Sequence, residues 1–266
     1  MGVIDVLILF STGLAAGFLS GFLGIGGGVI AVPVLVYFLS GTVEPDILFL
    51  TASTISLGVV FFASSNSAIK HIKSHNYYKK AIIPVALGSV LGPIPGSWLC
   101  AIISDRGRMF FFSAILALLA VRIFFLDNED EDGNPRKHPR FSTPVMFLAG
   151  LFMGTVSAMT GIGGGSILVP LLAVVLHFNI KKAVGLASIV MIFNAVASLT
   201  GRYFIGAFDS IPTSLFFMDF LLISLGASFT AQLGANMNIR SGYKSFKKIA
   251  GAIYILVALQ VFIKAL

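Results

Sequence analysis

Ten consecutive positions of this chain occur twice. Gly24-Ile25-Gly26-Gly27-Gly28-Val29-Ile30-Ala31-Val32-Pro33 returns as Gly161-Ile162-Gly163-Gly164-Gly165-Ser166-Ile167-Leu168-Val169-Pro170, with eight residues identical at an offset of 137. Glycine allows a backbone turn with positive φ and lets a ligand approach the main chain. A helix that opens on such a turn offers unpaired N–H groups and about half a positive charge, which together favour an anion. The backbone groups of Gly24, Gly26, Gly27 and Gly28, and of Gly161, Gly163, Gly164 and Gly165, are therefore candidate substrate-binding donors. Close helix packing is the other use of such glycines, because small residues let backbones meet inside a membrane.

Hydroxyl and amide side chains recur at helical spacing near these blocks. At 100° per residue, Ser53, Ser56, Ser64 and Ser67 fall within about 80° on one helix face. Ser188, Ser198 and Arg202 share a face in the second half, with Asn194 beside it, and Ala52-Ser53 matches Ala187-Ser188. Ser53, Ser166, Ser188 and Asn194 are candidates to hydrogen-bond the oxygens of an anion. Such hydroxyls also bond to their own helix or to a neighbour. Arg202 lies about four turns from Ser188 and is expected at a gate or entrance. Asp219 and Arg122 lie near segment ends, where they are expected to reach polar headgroups, and Gln232 is expected in a helix contact.

Other chemistries are disfavoured. No Lys-Ser/Thr follows the glycines, so the run is not a phosphate-binding P-loop, and no βαβ pattern surrounds it. Cys100 is the only cysteine, and His71, His75, His138 and His177 show no ligand spacing. No cofactor, metal or catalytic group is expected, and the chain does not read as an enzyme. The net charge of +7 lies mainly in loops between apolar segments, so it reflects the positive-inside bias and not nucleic-acid binding.

These residues must be positioned by membrane-spanning elements. The chain is 57% hydrophobic and 11% charged, with mean hydropathy +0.97, against about 25% charged residues in soluble domains. The glycine-rich, non-alternating apolar stretches predict an all-α polytopic membrane protein and not a barrel. Each half reads as five segments, near 3–23, 28–40, 47–69, 81–103 and 109–126, then 142–160, 165–177, 183–200, 212–236 and 246–265. This gives an N-terminal repeat over 1–126, a polar linker over 127–141 and a C-terminal repeat over 142–266, within one membrane domain. The segments after the glycine blocks reach only about 20 Å as helices, which suits a re-entrant piece or a tilted span. Basic loop residues change sides between the halves: Lys70, Lys73, Lys79 and Lys80 in one, and Lys181, Lys182, Arg240, Lys244, Lys247 and Lys248 in the other. That switch predicts two inverted-topology repeats with both termini outside and the linker inside. Arg106 and Arg108 are the exceptions, because they would lie outside.

The doubled glycine block resembles the TauE/SafE family of sulfite exporters. So do the Ala-Ser pairs at 52–53 and 187–188 and the glycines at Gly88, Gly92, Gly96, Gly226 and Gly234. The resemblance covers nearly the whole chain. It implies a secondary transporter of the cytoplasmic (inner) membrane that moves sulfite, sulfonates or related small organosulfur anions. The partners expected are that small anion and membrane lipid, with no nucleic acid and a homo-oligomer as one possible assembly. An assembly factor or scaffold that does not transport, and an anion channel, are the rival functions.

Overall fold

The computed structural model describes residues 2–124, 138–209, 211, 213–240 and 243–266. Among the described residues there are eleven α-helices and no strand. They are α1 (Val3–Leu23), α2 (Gly28–Leu39), α3 (Leu48–Lys73), α4 (Lys79–Leu91), α5 (Pro93–Ile102), α6 (Asp105–Phe124), α7 (Thr143–Thr160), α8 (Gly165–Val175), α9 (Ile180–Phe204), α10 (Thr213–Arg240) and α11 (Tyr243–Ala265). Seven stretches among them are long and apolar enough to cross a membrane, while α2 and α8 are short apolar helices. Large apolar side chains such as Trp98, Leu118, Phe229 and Leu256 face outward, as a lipid-facing surface requires. The core instead gathers around α3 and α9, the most buried of the long helices.

Local sequence explains the breaks. Gly24 and Gly161 take left-handed φ values of 69° and 74°, and their N–H groups donate to Ser20 O and Ser157 O, closing α1 and α7. Gly27 and Gly164 open α2 and α8 with φ of 77° and 79°. Pro33 and Pro170 sit at the same position inside α2 and α8, where each removes one helical donor. Gly92 and Pro93 divide α4 from α5. The single apolar segment expected over 81–103 is thus two helices.

The two halves are interleaved. α1 packs along α10 and α7 packs along α4 and α5. Gly13, Gly17 and Gly21 of α1 face Ile223, Ala227 and Ala231 in order, so α1 and α10 run parallel. Gly88, Gly92 and Gly96 face Phe147, Leu151 and Thr155 in the same sense. In both contacts a glycine row lets one backbone rest on another. α3 and α9 are antiparallel, since Ser53 meets Arg202 while Ser67 meets Ser188. α6 and α11 are antiparallel too, with Phe110 near the start of one against Phe262 near the end of the other.

These pairings sort the loops into two ends. At one end Asn76 Nδ2 donates to Lys181 O, Lys181 Nζ reaches Ile239 O, and the rings of Tyr78, Phe141 and Phe178 cluster. The basic loops of both halves meet there. At the other end Asp105 accepts from the N–H groups of Phe49 and Leu50, and α2 finishes beside Gln260 and Lys264 of α11. α1 starts at this same end, next to the start of α10. The chain therefore goes in along α1, turns at the glycines and comes back along α2. α7 and α8 make the matching hairpin from the basic end. Most of the 127–141 linker falls outside the described residues. Of its last residues, Arg140 N–H donates to Leu176 O.

Candidate functional site

The two glycine blocks meet at the centre of the molecule. Gly24 lies against Gly165, Gly26 against Ile162 and Gly28 against Gly161, so the two broken segments pass each other antiparallel. A methyl group on Gly165 would stand 1.8 Å from Gly24 O, and one on Gly28 would stand 2.4 Å from Gly161 O. Val60 of α3 and Met191 of α9 both pack against the crossing at Gly26. Among the described residues, the N–H groups from Ile25 to Val29 and from Gly163 to Ser166 donate to no backbone carbonyl. The crossing thus combines two features of the sequence: glycines that permit backbone contact, and helix starts whose donors remain open.

Side-chain polarity is concentrated on the second turn. Ser56 Oγ donates to Gly161 O at 2.8 Å, and Asn194 Nδ2 donates to Gly163 O at 3.2 Å and to Ser157 Oγ at 2.7 Å. Asn194 Oδ1 and Ser166 Oγ are buried without a hydrogen-bond partner among the described residues. On the 135-residue offset that relates Ser53 to Ser188, Asn194 corresponds to Val59. Ser20, the counterpart of Ser157, accordingly has no partner for its hydroxyl among the described residues. The second turn thus receives amide and hydroxyl donors, from Asn194 and Ser56, in addition to its apolar neighbours Val60 and Met153.

The candidate serines do not converge. Ser53 Oγ accepts from Arg202 Nη2 at 2.9 Å, whereas Ser188 Oγ lies 2.9 Å from Ser67 Oγ. Ser53 and Ser67 are fourteen residues apart on α3, or roughly 20 Å along its axis. One small anion cannot touch both Ser53 and Ser188. The two contacts are instead equivalents under the repeat, because Ser67 plus 135 is Arg202. Arg202, expected as an entrance charge, is fully buried and also donates to Ala158 O at 2.9 Å. The antiparallel partner α3 brings it to Ser53. Asp219, expected to reach headgroups, is buried against α1, with neither carboxylate oxygen bonded to a described residue. The Arg122 side chain lies outside the described residues.

Ser53, Ser56, Ser166, Ser188, Asn194 and Arg202 all have no exposed surface. Broad cavities among the described residues open on the apolar flanks, for example the groove of about 550 Å³ between α6 and α11 lined by Phe110, Ala117 and Phe262. No three His, Cys, Asp or Glu side chains among the described residues converge as a metal site.

The sequence profile described as "Sulfite exporter TauE/SafE" matches residues 9–261. The chain belongs to the TauE/SafE family. A probable membrane transporter protein of Haemophilus influenzae is 28% identical over 270 residues, covering 97% of this chain and 98% of that protein. Probable membrane transporter proteins of Bacillus subtilis and Methanocaldococcus jannaschii are 25% and 26% identical, over 96% and 92% of this chain and 96% and 91% of their own lengths. No solved structure matches the chain. Family, relatives and candidate spans together make this TauE/SafE protein a multi-pass transporter of the inner membrane.

Proposed function

We propose that this TauE/SafE transporter carries a small sulfur oxyanion, of the sulfite or short-sulfonate class, by alternating access between two inverted repeats. The observation that carries this reading is the central crossing of two glycine turns whose helix-start N–H groups donate to no backbone carbonyl among the described residues. Paired broken helices at the middle of a repeat protein are a common construction for an anion site in secondary transporters. The antiparallel pairing of α3 with α9 and of α6 with α11 supports the inverted relation, since helices related by an axis in the membrane plane run in opposite directions. Gathering of the basic loops at one end supports a cytoplasmic assignment for that end. α2 and α8 are then re-entrant, each returning to the face from which its hairpin entered. Complete burial of the polar groups at the crossing supports a closed carrier state over an open channel.

On this reading the second turn supplies most of the recognition. Open N–H groups at Gly163–Ser166 and the Ser166 hydroxyl would donate to anion oxygens, while Asn194 holds the turn through its donations to Gly163 O and Ser157 Oγ. The decisive experiment is uptake of sulfite and of short alkanesulfonates into proteoliposomes. The wild type should transport at least one of them, and Asn194→Val, which copies Val59 of the first half, should cut the rate about tenfold or more by releasing Gly163 O and the turn it fixes. Full activity in Asn194→Val would move recognition away from the second turn.

A further inference from the structure

Beyond the crossing, four buried groups converge at the acidic end of α3 and α9. Arg108 Nη2 pairs with Asp105 Oδ1 at 2.6 Å, and Arg108 Nη1 donates to Cys100 Sγ at 3.2 Å. Arg202 stands at the same end of α9, donating from Nη2 to Ser53 Oγ about one turn along α3 from Phe49 and Leu50, whose N–H groups Asp105 accepts. Arg202 is fully buried, while Cys100, Asp105 and Arg108 expose only 1%, 5% and 6% of their surface. Asp105, the carboxylate at this end, is already engaged by Arg108 and by the N–H groups of Phe49 and Leu50. Among the described residues Arg202 has no carboxylate within salt-bridge distance. Nε and Nη1 of Arg202 have no hydrogen-bond partner among the described residues, and the same is true of Arg108 Nε and the Ser97 hydroxyl.

A buried, unneutralised arginine is costly unless something charged completes it. Pseudo-symmetry shows that the fold does not require it. The equivalent position in the first half is Ser67, which forms a plain hydroxyl pair with Ser188. The Ser53–Arg202 contact therefore carries a buried positive charge that the equivalent Ser67–Ser188 contact lacks.

We propose that Arg202, with Ser53 and the Arg108–Cys100–Asp105 group, forms an anion subsite selective for a singly charged oxyanion, set between the central crossing and the acidic end. The inference rests on the transport reading above and makes it asymmetric. One negative charge neutralises the cluster, whereas a dianion would leave it overcharged and meet Asp105. Arg202 Nε and Nη1 supply the unused donors, and Ser53, held by Nη2, orients the guanidinium.

Titration calorimetry and thermal denaturation of the purified protein test this at fixed ionic strength, with methanesulfonate as monoanion and sulfate as dianion. Sulfite and thiosulfate complete the panel. The wild type should bind methanesulfonate more tightly than sulfate. Arg202→Ser, which copies Ser67, should weaken methanesulfonate about 30-fold or more while keeping or raising the anion-free Tm, because it removes an unneutralised charge. Arg202→Lys keeps the charge but not the planar donors. It should weaken binding about tenfold, and it carries the comparison if the serine variant does not fold. Unchanged affinity in the variants while the wild type binds would overturn the subsite and leave the transport reading standing. A loss of anion-free Tm with unchanged affinity would make Arg202 a packing tie only, and would also overturn it. Failure of the wild type to bind any of the four anions would remove both readings.

Discussion

At the scale of single residues, glycine at the crossing is fixed first by backbone contact. Gly165→Ala would drive a methyl group into Gly24 O, so a loss of more than about 3 kcal/mol is expected, in the range of severe core overpacking. Gly41 has nothing within 4 Å of an added methyl, and Gly41→Ala should stay within about 0.5 kcal/mol. Denaturation of the two variants in the same detergent makes the comparison, and similar stabilities would contradict the close approach of the two turns. Ser56→Ala should cost about 1 kcal/mol by freeing Gly161 O from its hydroxyl donor. The sequence exposed the two turns because both copies keep the same five-residue pattern, and their matching left-handed geometry follows from that pattern. It could not expose the Ser53–Arg202 contact. That pairing joins residues 149 apart in sequence, and only the antiparallel approach of α3 and α9 creates it.

At the scale of elements, the glycine rows set which helices touch. Gly17 of α1 rests on Ala227, where an added methyl would come within 2.2 Å of the carbonyl oxygen. Gly17→Val should separate α1 from α10 and lower Tm strongly, whereas valine at outward-facing Leu7 should change it little. Equal Tm values in the two variants would argue against the contact. Gly92, between α4 and α5, makes the corresponding approach to Leu151 and Thr155, so Gly92→Val should behave as Gly17→Val does. The segments themselves were legible from hydrophobic runs, and their bounds agree with the helices within a few residues. Their partners were not legible. Apolar surface is equally compatible with lipid or with any other helix, so length and hydropathy say nothing about which pairs form. The α4–α5 break was also hidden, because a single Gly-Pro step in an apolar run can be absorbed as a kink.

At the scale of the whole molecule, charge distribution and helix direction lead to a topology experiment. In a Cys100→Ser background, cysteines placed at Ser74 and at Lys248 should be labelled from the cytoplasmic face, and one at Asp46 from the opposite face. Labelling of Ser74→Cys and Lys248→Cys from different faces would remove the inverted arrangement. Arg108, an exception to the charge rule when read from sequence, lies in an internal ion pair with Asp105 and so does not act as a loop charge. Exposed Arg106 remains the exception. The interleaving of the halves also bears on how the protein is made. α1 leaves the ribosome about 200 residues before α10, the helix against which its glycine row rests. Until then that row faces lipid or an insertion chaperone, and contacts so distant in sequence form late. A nascent chain halted after α9 should therefore hold α1 loosely enough for a protease to cut near Gly24, and release of α10 into the membrane should abolish the cut.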